Sequence, residues 1–308
     1  MKIIAVGNLN TGGTGKTPFT ELLIEAFQNK YKIAVLSRGY GRKSKGLRIV
    51  DTISLVEEVG DESLQIKQKF PEIMVMVCEN RVEGIKELES PYFDIDLVIL
   101  DDAFQHRYIH RDINILLTDF KRPFYRDFAL PTGNLREWRN GKSRADVIIV
   151  SKGPENLKSE LKEKMISNIQ PNKNQSCFFG FNGYGEISNL LDNSNRDIGE
   201  FETTLVVSGI AHGKDFYEYA ATLTASSTHL NFQDHVNYDR PKIDKIVSKF
   251  KSLNGNSKTA IITTRKDAVK LQSFREELNN IPVFILDYKF QIHAYSQCIE
   301  LIESKIMA

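Results

Sequence analysis

A glycine-rich segment directly after the first apolar run constrains the fold of this chain more than any other feature. Residues 2–7 (KIIAVG) are short, apolar and rich in β-branched side chains, which is typical of a buried strand. Residues 10–17 read NTGGTGKT, and apolar residues at helical spacing begin near Lys16. A strand, a glycine loop and a helix in this order direct backbone N–H groups and a helix N-terminus towards an anion. The segment therefore predicts a phosphate-binding loop.

The loop departs from the strict pattern G-x-x-x-x-G-K-[ST] at one position, because Asn10 stands where the first glycine is expected. Lys16 would place a charge at the β- and γ-phosphates of a nucleotide, and the Thr17 hydroxyl would bind Mg²⁺. The alternative is a glycine-rich turn that binds no nucleotide. The candidate nucleotide-binding residues are Asn10, Thr11, Gly12, Gly13, Thr14, Gly15, Lys16 and Thr17.

Alternating apolar runs and helical segments predict an α/β fold. Further apolar runs occupy residues 32–37, 73–77, 96–100, 113–119 and 145–150. Runs that are apolar throughout suit a mostly parallel sheet covered by helices on both faces. We therefore expect a P-loop NTPase-type core.

A second, smaller α/β domain is predicted after a change in composition. Residues 179–202 are rich in Asn and Gly and lack apolar periodicity, so we interpret them as a linker. A new alternation follows, with strands at 203–211, 259–264 and 281–287 and helices near 214–224 and 239–250. The predicted organisation is a core domain at 1–178, the linker at 179–202 and a smaller domain at 203–308 that closes over the active site.

Composition excludes several classes of protein. Lys and Arg total 41 against 40 for Asp and Glu, so no net basic field favours nucleic acid. The three cysteines, Cys78, Cys177 and Cys298, match no metal or redox spacing and are expected to be reduced thiols. No apolar run is long enough for a transmembrane helix, and the first residues do not form a signal peptide. We expect a cytoplasmic protein without a nucleic-acid partner.

An acidic pair, Asp101 and Asp102, follows the apolar run at 96–100. Acidic pairs at strand ends are common, so the pair alone is a weak signal. A carboxylate at the carboxyl end of a strand beside the loop strand is, however, well placed to hold Mg²⁺. The pair is therefore the candidate metal site.

Three further segments would reach the same sheet edge. Tyr40 lies in a basic loop (LSRGYGRKSKG), which could equally be a solvated surface loop. Asp61 precedes a helix and could be an ordinary helix cap. Arg136 and Glu137 lie in a long loop between strands, a kind of loop that is often functional.

The second half supplies weaker signals. Asp234 and His235 form an adjacent pair of a kind that is more often structural. Lys266 and Asp267 lie in TTRKDAVK, one step from the guanine-reading pattern N/T-K-x-D, and residues 151–156 (SKGPEN) lack the aspartate. Guanine specificity is unsupported, so ATP is the default nucleotide.

Taken in order, these motifs resemble the tetraacyldisaccharide 4′-kinase family of lipid A biosynthesis. The resemblance covers about residues 4 to 289, and the family also has a non-glycine residue where Asn10 stands. The segments that carry it are VGNLNTGGTGKTP, LSRGYGRK, GDES, DDAFQHRYIHRDINILLTD, LPTGNLRE, SGIA, DHVNY and TRKDAVK.

The resemblance implies transfer of the ATP γ-phosphoryl group to the 4′-hydroxyl of tetraacyldisaccharide 1-phosphate, which forms lipid IVA. It implies that Lys16 and Thr17 serve ATP and Mg²⁺, that Asp61 is the general base, and that His235 pairs with Asp61 and tunes it. Since these last two lie in different predicted domains, their pairing would need domain closure. The remaining implied positions are Asp101, Asp102 and Glu137 at the metal, and Tyr40, Arg81, His106 and Arg136 lining the active site.

The resemblance also implies a peripheral enzyme on the cytoplasmic face of the inner membrane, with no protein partner predicted. Members of the family usually carry a hydrophobic or amphipathic segment before the loop strand, whereas this chain begins at that strand. We therefore consider residues 121–131 for lipid contact, through Phe124, Tyr125 and Phe128 among basic residues. The alternative is a loop packed on the core. Arg265 replaces an acidic residue of the family's TEKDAVK segment.

Two other functional classes stay open at this stage. One is a nucleotide-dependent switch or metallochaperone-like P-loop protein, which would call for a guanine-reading motif or a Cys/His metal cluster. The other is a kinase for a small soluble substrate, which would have no affinity for lipid micelles.

Overall fold

A computed structural model describes residues 1–192, 194–210, 213–234, 236–253 and 258–307. Its strands are β1 (Lys2–Asn8), β2 (Ile33–Ser37), β3 (Arg48–Ile49), β4 (Met74–Val77), β5 (Leu97–Leu100), β6 (Ile113–Asp119), β7 (Val147–Gly153), β8 (Ser176–Asn189), β9 (Thr203–Ser208), β10 (Ser226–Asn231), β11 (Thr259–Thr264) and β12 (Val283–Ile292). Its helices are α1 (Lys16–Phe27), α2 (Val56–Val59), α3 (Asp61–Lys69), α4 (Arg81–Leu88), α5 (Ser159–Ile169), α6 (Gly213–Ala220), α7 (Arg240–Ser252), α8 (Arg265–Leu271), α9 (Arg275–Leu278) and α10 (Tyr295–Met307). This mixture confirms the predicted α/β class.

The chain forms two compact units. Residues 1–183 and 289–308 make up the larger unit, and residues 184–288 make up the smaller one. The last helix, α10, belongs to the larger unit because it packs on β1 and β6. Its buried face consists of Cys298, Ile302 and Ile306. The C-terminal residues therefore complete the first unit, whereas the sequence had assigned them to the second.

In the larger unit the strands lie in the order β8-β7-β6-β1-β5-β2-β4-β3. Neighbours from β8 to β4 pair in parallel, and β3 pairs antiparallel with β4. The central strands are buried throughout, as expected for a sheet covered on both faces. Since parallel strands end at one edge, the loop after β1 and the acidic pair after β5 lie at the same edge.

The smaller unit repeats the α/β plan. Its strands lie in the order β10-β9-β11-β12 and pair in parallel. Two side-chain caps begin its helices: Asp239 accepts a hydrogen bond from the backbone of Lys242, and Thr264 accepts one from that of Asp267. Its core includes Leu205, Ile246 and Ile261. The predicted second α/β pattern is thus present.

Strand β8 begins before the predicted linker and runs through its first half. The sequence of β8 contains Gly180, Gly183 and Gly185, so it lacks the apolar alternation that normally identifies a strand. A side chain at Gly180 would lie 2.4 Å from Cζ of Phe290. The glycine therefore leaves room for an aromatic ring, which explains why the strand does not read as one from sequence.

The segment at 121–131 differs from the expected lipid-contact surface. Phe124 is only 1% exposed and belongs to the core, where its backbone N–H donates to Oγ1 of Thr118 at 3.0 Å. Phe128 is 57% exposed. Phe124 thus cannot reach lipid, because a short helical turn directs it inward, while Phe128 can. In the part of the chain that the structure covers, no helix is both long and apolar enough to cross a bilayer.

Candidate active site

The glycine loop adopts the backbone conformation that a phosphate-binding loop requires. Gly12 and Gly15 have φ values of +95° and +83°, and α1 begins immediately after Gly15. Asn8 closes the loop, since its Nδ2 donates to Oγ1 of Thr14 at 2.8 Å and to the carbonyl of Gly12 at 3.3 Å. The N-terminus of α1 with Lys16 and Thr17 is thereby fixed at the sheet edge.

Position 10 does not require a glycine. Asn10 does not have a positive φ, so its backbone conformation tolerates a side chain. Its Nδ2 donates to Oδ2 of Asp127 at 3.4 Å, and the neighbouring Thr11 N–H donates to the carbonyl of Asn134 at 2.7 Å. The position that departs from the strict pattern therefore ties the loop to residues 127–135.

The end of β7 holds the loop from the other side, a contact that the sequence analysis missed. Ser151 Oγ donates to the carbonyl of Thr14 at 2.7 Å, and Lys152 Nζ donates to the carbonyl of Gly13. Lys152 also pairs with Asp119 at 3.3 Å. Lys152 has a φ of +58°, a costly conformation for a non-glycine residue. Both residues lie in the segment SKGPEN, whose sequence does not indicate this role.

The acidic pair separates into two different carboxylates. Asp101 is 2% exposed, and its Oδ1 accepts from the backbone N–H of Asp102 at 3.0 Å. Burial, with a contribution from Glu62, raises the pKa of Asp101 to about 7.

Asp102 faces cations instead. Its Oδ1 lies 3.6 Å from Lys16 Nζ, and Arg136 Nη1 donates to both of its oxygens at 2.8 and 3.0 Å. Burial alone would raise the pKa of Asp102, but the charges of Lys16 and Arg136 outweigh it and lower the pKa. The structure thus brings Lys16 and Arg136 to Asp102, which directly follows Asp101.

Arg81 is a buried cation with unused donors. It is 1% exposed, and its Nη1 donates to the carbonyl of Cys78 at 2.6 Å. Within the described chain its Nε and Nη2 make no hydrogen bond. Burial lowers the pKa of Arg81 while the charges of Asp101 and Asp102 raise it, and an arginine stays protonated. Buried guanidinium donors of this kind are suited to a phosphate oxygen.

His106 shares this region. Burial and the charge of Arg81 lower the pKa of His106, which favours the neutral imidazole. Arg38 also faces Arg81 and His106 electrostatically.

Asp61 lies buried at the first turn of α3, where its Oδ1 accepts from the backbone N–H of Glu62 at 3.0 Å. Glu62 raises the pKa of Asp101, so the start of α3 faces the end of β5. A Cβ at Gly60 would lie 2.9 Å from the carbonyl of Tyr40. Close packing at Gly60 therefore brings the Tyr40 loop to the start of α3.

The basic charges of the Tyr40 loop are partly neutralised. Arg42 pairs with Glu79 at 2.7 Å, and Lys43 pairs with Glu57 at 2.9 Å. Tyr40 itself is 66% exposed.

Glu137 is engaged by cations rather than open to a metal. Arg144 donates to its Oε1 at 2.6 Å, and Arg107 donates to its Oε2 at 2.9 Å. Gln105 also donates to Oε1 at 3.1 Å and to the carbonyl of Asn8 at 2.9 Å. Through this network Glu137 holds the loop that follows Asp102 against the phosphate-loop strand.

The side chains at this edge could bind Mg²⁺ only if a phosphate supplied further ligands. Across the described ranges, no group of three or more His, Cys, Asp or Glu side chains could hold a metal by itself. Thr17 is buried in the first turn of α1, and the buried Asp101 carboxylate lies 3.5 Å from the hydroxyl of Thr20 on the same helix. A hydroxyl and one or two carboxylates are the donor set that Mg²⁺ uses when a nucleotide supplies the other ligands.

Two sequence signals lie in the smaller unit. His235 is outside the described residues, so its pairing with Asp61 stays a prediction. Arg265, where the family has an acidic residue, pairs with Asp287, to whose Oδ2 its Nη2 donates at 2.7 Å. Asp267 is buried and accepts from Gly209 N at 2.9 Å and from the Tyr238 hydroxyl at 3.1 Å, which is a structural role.

The mostly parallel sheet, the glycine loop and the acidic pair on the neighbouring strand define a P-loop α/β protein. A family model described as tetraacyldisaccharide-1-P 4′-kinase matches residues 1–307. The chain belongs to this family, as the order of its motifs predicted.

Individual relatives agree over nearly the full length. The tetraacyldisaccharide 4′-kinase of Cytophaga hutchinsonii is 38% identical over 99% of this chain and 86% of its own length. That of Flavobacterium johnsoniae is 39% identical over 92% of this chain and 82% of its own. Among solved structures, LpxK from Aquifex aeolicus in complex with ATP superposes with a TM-score of 0.74 at 28% identity, covering 99% of this chain and 89% of that one.

Proposed function

We propose that this protein transfers the γ-phosphoryl group of ATP to the 4′-hydroxyl of tetraacyldisaccharide 1-phosphate and so forms lipid IVA. The observation that carries the proposal is the family match across residues 1–307. The names of the relatives supply the acceptor, and the Aquifex aeolicus structure was determined with ATP. Peripheral association with the cytoplasmic face of the inner membrane is part of the proposal, because the acceptor is a lipid.

The phosphate end of ATP binds at the loop. Phosphoryl transfer depends mainly on positioning and on neutralising charge as it spreads over the transferred oxygens. Lys16 supplies a cation at the mouth of the loop, and the unused donors of Arg81 supply a second buried cation. Arg136 now pairs with Asp102. If Asp102 binds Mg²⁺ instead, the Arg136 guanidinium can turn towards a phosphate.

Thr17, Asp101 and Asp102 would hold Mg²⁺. When bound, the ion neutralises charge on the β- and γ-phosphate oxygens. Asp101 suits this role because its buried carboxylate lacks an ion-pair partner in the described ranges and gains from a nearby cation. A metal role for Glu137 remains a prediction and would require it to exchange Arg107 or Arg144 for the ion.

Asp61 accepts the proton of the sugar hydroxyl. A hydroxyl is a weak nucleophile near neutral pH, so a positioned carboxylate lowers the barrier to attack. Burial at the first turn of α3, across from the end of β5, supports this assignment. Tyr40 and His106 line the acceptor side, and pairing of Asp61 with His235 on closure of the smaller domain is the remaining part of the proposal.

A transfer assay with γ-labelled ATP, Mg²⁺ and the tetraacyldisaccharide 1-phosphate in detergent tests the function. We expect label in the lipid with the wild type, and a loss on the order of a hundredfold or more with Lys16→Met. Lys30→Met is the matched control, since the side chain of Lys30 forms an ion pair with Glu303 at the surface. Asp61→Asn should lower kcat while leaving ATP affinity unchanged.

Two results would contradict the proposal. Equal transfer by Lys16→Met and Lys30→Met would remove the loop from catalysis. Faster transfer to a soluble deacylated sugar than to the lipid would favour a kinase for small substrates.

A further inference from the structure

An apolar groove of about 330 Å³ opens on the surface of the larger unit beside the active site. Its lining includes Phe128, Leu135, Trp138 and the side chain of Arg139. Phe128 is 57% exposed and Trp138 is 72% exposed, and the nearby Leu130 is also 57% exposed. Large apolar side chains that cluster at the surface mark a binding site more often than isolated ones do.

The groove combines an apolar centre with a cationic rim. The Arg139 guanidinium lies 4.7 Å from the centre of the Phe128 ring, and its Nε donates to the carbonyl of Asp127 at 2.6 Å. An apolar slot with a fixed cation at one side suits an amphipathic ligand that has a hydrocarbon part and a nearby anionic group.

The groove is held rigid by a hydrogen-bonded turn at residues 127–135. Leu130 N–H donates to the carbonyl of Leu135, and Leu135 N–H donates to that of Phe128, both at 2.9 Å. The Asp127 carboxylate accepts from the backbone of Phe128 at 2.8 Å and from that of Asn134 at 3.0 Å. A preformed groove loses little conformational entropy when it is filled.

The same turn leads directly into the active site. Leu135 lines the groove, and the next residue, Arg136, donates through its side chain to Asp102 and through its backbone to the carbonyl of Leu9 at 2.7 Å. The residue next to a groove-lining residue therefore contacts the acidic pair, which links the apolar surface to the site where the acceptor hydroxyl would be presented.

We propose that this groove seats an acyl chain of the lipid acceptor. The proposal rests on the proposed function and assigns to Phe128, Leu135 and Trp138 the recognition of the hydrocarbon part. The groove lies next to Arg136, and this favours an acyl chain of the reacting sugar as its occupant over the surface of a bilayer. An acyl chain of that sugar begins close to the hydroxyl that the active site receives.

Trp138 makes the proposal directly measurable, since it is the single tryptophan of the chain and is mostly exposed. We expect its emission to shift to shorter wavelength, saturably, on addition of tetraacyldisaccharide 1-phosphate, with the effect of the same detergent subtracted. The deacylated disaccharide 1-phosphate should cause no shift. Vesicles of phosphatidylcholine and phosphatidylglycerol without acceptor serve as the test for bilayer contact. A shift caused by the vesicles alone, with none added by the acceptor, would overturn the proposal.

A kinetic comparison provides an independent test. Phe128→Ser should raise the KM for the tetraacylated acceptor by roughly tenfold, because it removes most of one buried aromatic contact. The KM for ATP and kcat should stay unchanged. Tyr92→Ser is the matched control, since Tyr92 is 92% exposed and does not line the groove. Equal acceptor KM values for the two variants would contradict the proposal.

The two proposals fail in different ways. Wild-type protein that phosphorylates the lipid without any acceptor-induced change at Trp138 would overturn the groove and leave the kinase function standing. Wild-type protein that binds the acylated acceptor at Trp138 but transfers no phosphate would overturn the kinase function and leave the groove standing.

Discussion

At the scale of single residues, the phosphate loop is positioned by side chains outside its own motif. Lys152 and Ser151 hold two consecutive carbonyls of the loop, and Asn10 ties it to Asp127. Lys152 has a left-handed backbone conformation, and its Nζ contacts both the carbonyl of Gly13 and the carboxylate of Asp119. Non-glycine residues with a strained backbone conformation of this kind cluster at functional sites. We interpret Lys152 as a positioning residue that keeps the loop N–H groups turned towards phosphate.

This interpretation predicts that Lys152→Met raises the KM for ATP by roughly tenfold, since the loss of one charged hydrogen bond to the loop costs on that order. The KM for the lipid acceptor should not change, and Lys152→Arg should restore part of the ATP affinity. Steady-state kinetics with each substrate varied in turn measures the effect.

Lys142→Met is the matched control for Lys152→Met. Lys142 also donates to backbone carbonyls, those of Ile169 and Gln170, but they lie at the end of α5. We expect it to lower stability and leave the KM for ATP unchanged. If the two variants raise that KM equally, a general loss of folding explains both and the positioning role is wrong.

A second residue-scale prediction concerns Asp127, whose carboxylate accepts hydrogen bonds within the turn at 127–135. Burial alone would raise the pKa of Asp127, but the N–H groups of Asn134 and Phe128 outweigh it and lower the pKa. A lowered folded-state pKa means that the carboxylate stabilises the fold above its unfolded pKa, and that this contribution is lost as pH falls through the folded pKa. Asp127→Asn should therefore destabilise the protein by about 1 kcal/mol or less at neutral pH.

Urea unfolding at neutral pH and at the lowest pH where both proteins remain folded would check the Asp127 prediction. The difference in unfolding free energy should shrink as the pH falls towards the lowered pKa of Asp127, because the wild-type carboxylate then begins to take up a proton. A difference that is the same at both pH values would show that the charge does not hold the turn.

At the scale of elements, β8 shows how packing can hide a strand from sequence. Gly180 leaves room for Phe290, whose ring also packs edge-on against Phe19 of α1 with centroids 5.4 Å apart. The glycine on β8 therefore supports, through one ring, the helix that follows the phosphate loop.

We expect Gly180→Ala to destabilise the larger unit by about 1–3 kcal/mol, because the new Cβ would meet both the Phe290 ring and the carbonyl of Gln291. Gly185→Ala, on the same strand, is the control, since its Cβ would make an ordinary contact of 3.6 Å with Asp287. Thermal unfolding compares the two variants. Equal stability of both would exclude tight packing at Gly180.

The contrast between strands explains which elements could be predicted. Strand β6 was predicted at 113–119 and lies there, because all seven of its residues are buried and four of them, Ile113, Ile115, Leu116 and Leu117, are apolar. Strand β10 is mostly half-buried, and β8 carries glycines, so neither has the apolar run on which such predictions depend. Local composition predicts a strand only where burial is complete.

At the scale of the whole molecule, the order of motifs was enough to predict the P-loop fold and the family. The assignment of α10 to the larger unit was not predictable, since it depends on packing against β1 and β6, two strands that lie far earlier in the chain. Two partners of Glu137, Gln105 and Arg107, were hidden for the same reason, since they meet it only in the folded chain.

The most direct test of the proposed function is to locate the phosphate on the product. Purified protein would be incubated with ATP, Mg²⁺ and tetraacyldisaccharide 1-phosphate, and the lipid analysed by mass spectrometry and ³¹P NMR. We expect one added phosphate, on the 4′-oxygen of the distal sugar, and none with Lys16→Met. ATP consumption without a phosphorylated lipid, or a phosphate on another oxygen, would contradict the proposed function.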